Sequence, residues 1–258
     1  MQASGVQLAG ITKDKTQVTT TICVNELGEV LPPQMIFGGS TDRCHPKDAA
    51  PLGGFYCHST THWQTAETMI NWIDSVLIPF KTATITMQGL PENQKSVLIC
   101  DLHFSHKDIA VLQHLQDNNI EPVFLPTGFS DELLVIELAC KKPFQQAAKS
   151  RFRLFVHDLL TTHIELGKPL SEFTLNFNVG FLKPFVPKCV EDGMEALQTP
   201  DMRAAIAACF AKKGCMEICR DETRITAARA SWVPHHVPAE VEGDPVAAVE
   251  EEDDEDDM

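Results

Sequence analysis

Apolar residues in the first part of this chain occur in short, β-branched runs that predict strands. Residues 17–24, QVTTTICV, form one such run, and residues 30–37, VLPPQMIF, form another. Gly28 lies in the polar segment between them, where a tight turn would reverse the chain. The pattern therefore predicts a β-hairpin, and the two prolines of the second run indicate an edge strand or a bulge.

The next apolar pattern has helical spacing. Between Met69 and Leu77 the apolar residues recur three and four positions apart, which predicts an amphipathic helix. Thr65 is placed to cap its N terminus, and Pro79 is expected to end it. Trp63 and Trp72 are expected to lie in the core.

Strands and helices then alternate along the chain. Residues 96–100 predict a strand, residues 106–120 an amphipathic helix, residues 122–125 a short strand, and the apolar positions from Phe144 to Leu159 a longer helix. A hairpin followed by this alternation is typical of an α/β domain with a mixed sheet. Residues 200–231 are alanine-rich and predict a small helical part near the C terminus.

The composition fits one large domain with additions. The chain has 258 residues, of which 43% are hydrophobic, and this is enough for a sizeable core. No apolar run is long enough to cross a bilayer, so no membrane partner is expected.

The charge is unevenly distributed. The net charge is −15, but eleven of the 36 acidic residues lie between Glu240 and the C terminus, where there is no Lys or Arg. The remainder has 25 acids against 21 bases, a balance of −4. Residues 233–258 are therefore expected to be a disordered acidic tail. The overall charge does not argue against binding to nucleic acid, because the distribution of charge decides that binding.

Nine cysteines, an odd number set mostly among apolar residues, indicate reduced core thiols rather than a disulfide framework. Two groups contain possible zinc ligands: Cys44-His45 with Cys57-His58, and Cys215 with Cys219. Neither group matches the spacing of a closed zinc site well, and packing in the core or in loops is the favoured interpretation.

Two carboxylates are the candidates for chemistry. Asp101 ends the strand at 96–100 and begins a polar loop, where a single acid most often caps a helix or bonds within the loop. Glu137 lies inside an apolar stretch 36 positions later, after a helix and a strand. Converging carboxylates bind Mg²⁺ or Mn²⁺, so Asp101 and Glu137 are the candidate metal ligands and catalytic residues. His103 and His106 are expected to form hydrogen bonds within the loop; the other interpretation is that they orient or replace metal ligands near Asp101.

A group of cationic side chains follows Glu137, with no acid before Asp158. Its members are Lys141, Lys142, Lys149, Arg151 and Arg153. Positive charges gathered near a helix start suit a phosphate backbone, so these residues are candidate DNA contacts. The other interpretation is a solvated helix face.

Four stretches carry a resemblance to a known family. They are KTQVTTTICVNELGEVLPPQMIFGGSTDRCHPK, HWQTAETMINWID, LICDLHFSHK and NNIEPVFLPTGFSDELLVIELACKKPF. In this order and spacing, over about residues 5–160, the chain resembles the nuclease domain of pogo/Tigger-type DDE transposases, a family related to centromere protein B and Jerky-like proteins. The resemblance implies an RNase H-like fold, metal-dependent cleavage and joining of DNA strands, and a location in the nucleus.

By this resemblance Asp101 matches the second acid of the family, and Glu137 falls at the position of the third. The glutamine and proline that usually precede the third acid are replaced here by Leu134 and Val135. The first acid should lie on the first strand, but residues 1–13 contain no acid, and Asp14 stands where the family has an ordinary turn residue.

These departures define the domain organisation that we expect. Residues 5–165 form a DDE transposase, RNase H-like domain that is truncated at its N terminus and lacks the first strand. Residues 166–232 form a helical C-terminal extension that precedes the acidic tail. The missing strand would leave an open sheet edge, through which two chains could pair.

Two functions remain open at this point. The favoured one is a transposase-derived, DNA-binding domain that is catalytically incomplete because the first acid is missing. The alternative is an active, Mg²⁺-dependent DNA endonuclease or transposase that cleaves phosphodiester bonds through Asp101 and Glu137. The first carboxylate is the feature that discriminates between them.

Overall fold

The structure, a computed structural model, describes residues 2–7, 18–125, 133–176 and 179–212. It contains one six-stranded sheet in the order β4-β3-β2-β1-β5-β6. The strands are β1 Gln2–Gln7, β2 Val18–Val24, β3 Gln34–Gly38, β4 Phe55–Ser59, β5 Ser96–Cys100 and β6 Ile120–Phe124.

The strand directions define the fold class. Strands β1, β2 and β3 form an antiparallel meander, and β5 and β6 continue the sheet parallel to β1 on its other side. Strand β4 adds a further parallel strand beyond β3. A central first strand between an antiparallel meander and a parallel pair is the RNase H-like arrangement. The predicted α/β fold with a mixed sheet is therefore confirmed.

The expectation that the first strand is missing is wrong. Gln2–Gln7 pairs with β2 from Gln2 opposite Val24 to Gln7 opposite Thr19, and it also pairs with β5. The sequence QASGVQ gave no signal, because it has neither an apolar run nor a β-branched majority. Pairing with two neighbouring strands overrides this weak propensity. The open central edge is filled, which removes the reason for expecting self-association through it.

Helices cover both faces of the sheet. They are α1 Ala66–Trp72, α2 Ile78–Gln88, α3 Ile109–Asp117, α4 Lys141–Glu165, α5 Val179–Leu182, α6 Val186–Leu197 and α7 Pro200–Lys212, with π turns at Ile73–Leu77 and Ile136–Cys140. Short 3₁₀ turns occur at Asp42–Cys44, Pro51–Gly53, Phe104–Lys107 and Leu170–Glu172. None of these described helices combines the length and apolar character that crossing a membrane requires.

The first helix begins at the residue that the sequence predicts, but Pro79 is not where it ends. The Thr65 side chain accepts a hydrogen bond from the Thr68 N–H, which confirms the predicted cap. Pro79 does not end the helix, because it lies at the start of α2 and a wide π turn precedes it. A proline in the first turn of a helix gives up no hydrogen bond. Trp72 is fully buried as predicted, whereas Trp63 is 44% exposed and lies outside the core.

Strands β3 and β4 differ most from the sequence-based expectation. The predicted strand at 30–37 begins only at Gln34, after the two prolines. Strand β4 was not predicted, because FYCHS follows a long loop and its polar and apolar positions do not alternate clearly. Pro200–Lys212 confirms the described part of the helical segment expected at 200–231. Cys215, Cys219 and the acidic tail lie outside the described residues.

The core has two layers because successive strand residues face opposite sides of the sheet. Ile22 and Val24 pack with α4, α6 and α7, while Cys23 between them packs with α1 and α3. The first layer also contains the contact between α4 and α6. There a Cβ atom added at Gly193 would lie 2.7 Å from two ring atoms of Phe144.

We expect Gly193→Ala to destabilise the fold by about 1–3 kcal/mol, because overpacking of the core would force the Phe144 ring to move. Urea denaturation measures the change. In an open helix position the same substitution would stabilise the protein by about 0.5–1 kcal/mol. The sign of the effect therefore tests the contact.

The matched control is the double variant Gly193→Ala with Phe144→Leu, compared with Phe144→Leu alone. The smaller side chain should remove most of the penalty. An equal penalty in both backgrounds would contradict the proposed contact.

Candidate functional site

Asp101 follows the last residue of β5, beside the central strand. Gln2 pairs with Ile99 and Ala3 pairs with Cys100 in the parallel β1–β5 ladder. Continuing this register by one residue puts Ser4 at the level of Asp101. The position on the central strand that neighbours Asp101 is therefore not acidic.

Asp101 is bound by its own loop. Its Oδ1 atom accepts a hydrogen bond from the His103 N–H at 3.3 Å and lies 2.9 Å from His106 Nδ1. The His106 side chain is 4% exposed, and the Asp101 side chain is 34% exposed. The carboxylate is thus anchored through one oxygen to a buried imidazole.

The second ring nitrogen of His106 begins a chain of buried hydrogen bonds. His106 Nε2 lies 3.0 Å from Gln64 Oε1, and Gln64 Nε2 donates to Thr21 Oγ1 at 3.2 Å. The Thr21 hydroxyl donates to Gln34 Oε1 at 3.1 Å, and Gln34 Nε2 donates to the Thr68 carbonyl at 2.7 Å. Thr21 and Gln34 are register partners in β2 and β3. The chain therefore links the sheet and α1 to the Asp101 loop.

The direction of this chain is fixed at its far end. The Thr68 carbonyl can only accept, so the amide nitrogen of Gln34 must face it and the amide oxygen must face Thr21. The Thr21 hydroxyl donates its proton to the Gln34 oxygen. It therefore accepts a hydrogen bond from the amide nitrogen of Gln64. The oxygen of Gln64 consequently faces His106.

Both ring nitrogens of His106 face acceptors in this arrangement. Its Nε2 atom faces the Gln64 oxygen and its Nδ1 atom faces the Asp101 carboxylate. A protonated imidazole donates from both ring nitrogens. In that form His106 would satisfy both contacts and form an ion pair with Asp101. This agrees with the expectation that His103 and His106 form hydrogen bonds within the loop.

The pKa values of the loop fit this pair. Burial acts to raise the pKa of Asp101, but the hydrogen bond and positive charge of His106, helped by the His103 N–H, outweigh it and lower that pKa below its ordinary value. Burial, together with the charge of His106, lowers the pKa of His103. Asp101 is thus ionised at neutral pH.

Glu137 lies on a different element and has its own cation. It is in the π turn at Ile136–Cys140, which contacts β1 and β2, and its carboxylate forms an ion pair with Lys141. Its side chain is 16% exposed. Each of the two predicted acids is therefore paired with a neighbouring base.

The described residues do not fit a two-metal Mg²⁺ centre. Such a centre needs several carboxylates around one point. Within the described ranges, neither Asp101 nor Glu137 belongs to a group of three close His, Cys, Asp or Glu ligand atoms. The role of both acids as metal ligands stays a prediction from the sequence.

The five predicted cations separate into two sets. Lys141 is paired with Glu137, and Arg151 donates two hydrogen bonds of 2.7 and 2.8 Å to the Asp192 carboxylate on α6. The second set is exposed on α4 and consists of Lys142, Lys149 and Arg153. At 100° per residue these three positions lie within about 40° of one another and span about 16 Å along the helix. We call them the α4 cationic face.

Sequence reasoning missed the polar groups that hold His106. Gln34 and Thr21 are 0% and 2% exposed; Gln34 stands in an otherwise apolar strand, and Thr21 ends a run of three threonines in β2. A buried polar residue in a strand is a usable signal, because it requires a hydrogen-bond partner. Gln64 carries no such signal, since it lies in a polar loop segment and becomes a neighbour of His106 only in the folded chain.

Comparison with known proteins establishes the family. The DDE superfamily endonuclease family matches residues 15–183, so this chain belongs to that family. Two relatives, each described as a pogo transposable element with KRAB domain and found in Mus musculus and Homo sapiens, are 24% identical over 141 residues. The match covers 54% of this chain and 21% of each relative. The chain is thus a transposase-derived, DDE endonuclease-like domain that spans about a fifth of those relatives.

A solved structure gives a weaker likeness. The crystal structure of the catalytic domain of Mos1 mariner transposase aligns over 83% of this chain and 81% of that chain, with 12% identity and a TM-score of 0.36. The fold assignment rests on the strand order and directions instead.

The low pKa of Asp101 predicts a pH dependence of stability. A depressed carboxyl pKa adds stability that is present above the unfolded value of about 3.9 and is lost as the pH falls through the folded value. We expect the free energy of unfolding to decrease between pH 5 and pH 3 less steeply in Asp101→Asn than in the wild type. Because Asp101 is about a third exposed, the substitution should cost only about 1 kcal/mol at pH 7.

Urea denaturation across this pH range measures the effect, and Asp48→Asn, at an exposed position, is the control. The control should keep the wild-type pH dependence. An Asp101→Asn variant with the wild-type slope would show that the ion pair with His106 contributes nothing to stability.

Proposed function

We propose that this chain is a DNA-binding domain, derived from a transposase, that does not cleave DNA. The observation that carries the proposal is the contact of Asp101 with the buried His106 side chain. In a DDE active site an acid at this position would face metal ions. Here one of its oxygens is already bound to a side chain that the fold holds in place.

Two further observations support the loss of cleavage. Glu137 is paired with Lys141, and continuing the β1–β5 register by one residue puts Ser4, not an acid, at the level of Asp101. A catalytic metal would have to compete with the side chains that contact both acids, without the help of a third carboxylate in this register. No hydrolytic step is therefore assigned to Asp101 or Glu137.

DNA binding is supported by the α4 cationic face. Its three side chains are exposed, and they lie in line along one surface of a 25-residue helix. Lys and Arg in such a row can contact successive phosphates without reading the bases. Binding to chromosomal DNA would place the chain in the nucleus.

Replacing Lys142, Lys149 and Arg153 with Ala should weaken binding to duplex DNA at least about tenfold at 0.1 M salt. The salt slope, d log K/d log[salt], should become shallower by about 2–3, since each lost phosphate contact removes about 0.9. Fluorescence anisotropy with a labelled duplex at several salt concentrations measures both quantities.

The matched control replaces Lys95, Lys168 and Lys212 with Ala, which removes the same charge from other parts of the surface. This variant should keep the wild-type slope. Equal losses in the two triple variants would mean that net charge, rather than the α4 cationic face, governs binding.

The purified chain should not nick supercoiled plasmid in Mg²⁺ or Mn²⁺ above the level of the Asp101→Asn variant, because each acid is already bound to a neighbouring basic side chain. Gel electrophoresis of the plasmid gives the readout, and circular dichroism shows that both proteins are folded. Nicking that depends on the metal and disappears in both Asp101→Asn and Glu137→Gln would establish an active endonuclease and overturn the proposal.

A further inference from the structure

Three ligand-type side chains come together at the β4 edge of the sheet. They are Cys44, His45 and His58, and one ligand atom of each lies within 4.8 Å of the other two. We call this group the Cys/His cluster. It lies far along the sheet from Asp101, because β3, β2 and β1 separate β4 from β5. The DDE chemistry of the family therefore does not account for it.

The folded loop brings the ligands together. Cys44 ends the 3₁₀ turn at Asp42–Cys44, His45 follows it, and His58 lies in β4. The chain between β3 and β4 thus folds back so that residues 13 or 14 positions apart meet. The sequence pointed to Cys57 as a partner, but Cys57 is not part of the group. Adjacent strand residues face opposite sides, so His58 alone points to the cluster.

The distances suit a tetrahedral ion. His58 Nδ1 lies 3.3 Å from His45 Nε2. Two nitrogens bound to one Zn²⁺ at 2.0–2.1 Å in tetrahedral geometry stand about 3.3 Å apart. A direct N–H···N hydrogen bond between the rings would give the same separation. The Cys44 thiol and a nearby carboxylate are what distinguish a metal site from such a bond.

Asp42 supplies that carboxylate. Its Oδ1 atom lies 3.6 Å from His45 Nδ1 and 3.5 Å from His58 Nδ1. In His45 the ligand atom is Nε2, so Asp42 lies beside the second ring nitrogen, where a carboxylate orients the ring and raises its basicity, as in many zinc sites. In His58 the carboxylate lies beside the ligand nitrogen itself. Asp42 also offsets the positive charge that an ion would bring.

The surroundings hold the ligands in place. The His45 ring packs against Phe37 and Tyr56, with ring centroids 6.2 and 6.0 Å away. A Cβ atom added at Gly39 would lie 2.7 Å from Cys44 Cβ and 2.9 Å from its sulfur, so the backbone leaves room for the thiol only because Gly39 has no side chain. Lys183 donates to the Arg43 carbonyl at 2.7 Å and anchors the same turn.

We propose that Cys44, His45 and His58 bind a Zn²⁺ ion that ties the β3–β4 loop to strand β4. One thiolate and two imidazoles are a ligand set that Zn²⁺ accepts, with water in the fourth position. Metal binding should stabilise the fold, because the folded chain brings the three ligands together and the unfolded chain does not.

The test uses the full chain after removal of metal with a chelator. Titration with Zn²⁺ should show one equivalent bound by the cluster, with an increase of several degrees in the melting temperature at saturation. Titration with Co²⁺ should produce the visible absorption of tetrahedral cobalt and a thiolate-to-cobalt charge-transfer band in the near ultraviolet. That band reports directly on a sulfur ligand.

Variants test whether the one equivalent of Zn²⁺ is bound by the Cys/His cluster. Cys44→Ser should abolish the charge-transfer band, and Cys44→Ser and His58→Gln should each weaken Zn²⁺ binding at least about tenfold. The matched controls are Cys209→Ser and His157→Gln, at positions outside the cluster. Both should keep wild-type affinity, and circular dichroism should show that every variant is folded.

Two outcomes would overturn the proposal. One is a folded chain that binds no Zn²⁺ and gives no charge-transfer band with Co²⁺. The other is binding that Cys44→Ser and His58→Gln leave unchanged, which would place the metal elsewhere in the chain. Neither outcome bears on the proposed DNA binding, because the α4 cationic face is a separate surface.

Discussion

The buried hydrogen-bond chain from Thr68 to Asp101 is the constraint on which the site depends. Burying Gln34, Thr21 and Gln64 without partners would cost several kcal/mol, so each donor must meet an acceptor. The chain has one direction because it ends on a carbonyl that can only accept. That direction turns the Gln64 oxygen toward His106, and the contact with His106 lowers the pKa of Asp101. The polar interior of the sheet is thus connected to the carboxylate at the end of β5.

The same constraint bears on the proposed loss of cleavage. A catalytic carboxylate has to exchange its partners for a metal, but Asp101 is bound to His106, which cannot move away without breaking the buried hydrogen-bond chain behind it. Glu137 is tied to Lys141, which is more exposed and easier to displace. The two acids are therefore unequal, and the Asp101 pair is the greater obstacle to metal binding. The α4 cationic face has no such obstacle, because its charges already face solvent.

The sequence predicted the elements whose patterns are local. The strand at 96–100, the cap at Thr65 and the order of strands and helices follow from periodicity and capping chemistry. The first strand was missed because pairing with β2 and β5, rather than its own residues, holds it in place. The partners of His106 and the meeting of His45 with His58 depend on contacts between distant segments. Residue types suggested the participants, but only the fold determines which of them meet.

The helix α4 shows why composition alone could not settle the function. Its cations look equivalent in the sequence, yet Arg151 forms a bidentate pair with Asp192 that joins α4 to α6, near the contact of Gly193 with Phe144. Arg151 therefore stabilises the packing of α4 against α6. Its replacement would lower the stability of the fold before it weakened the proposed DNA binding. The side chains of the α4 cationic face, spread over about three turns on the opposite, exposed surface, are the ones proposed to contact phosphate. A count of positive charges would assign all five cations to DNA, whereas the geometry assigns Arg151 to packing and leaves the exposed three for the proposed binding.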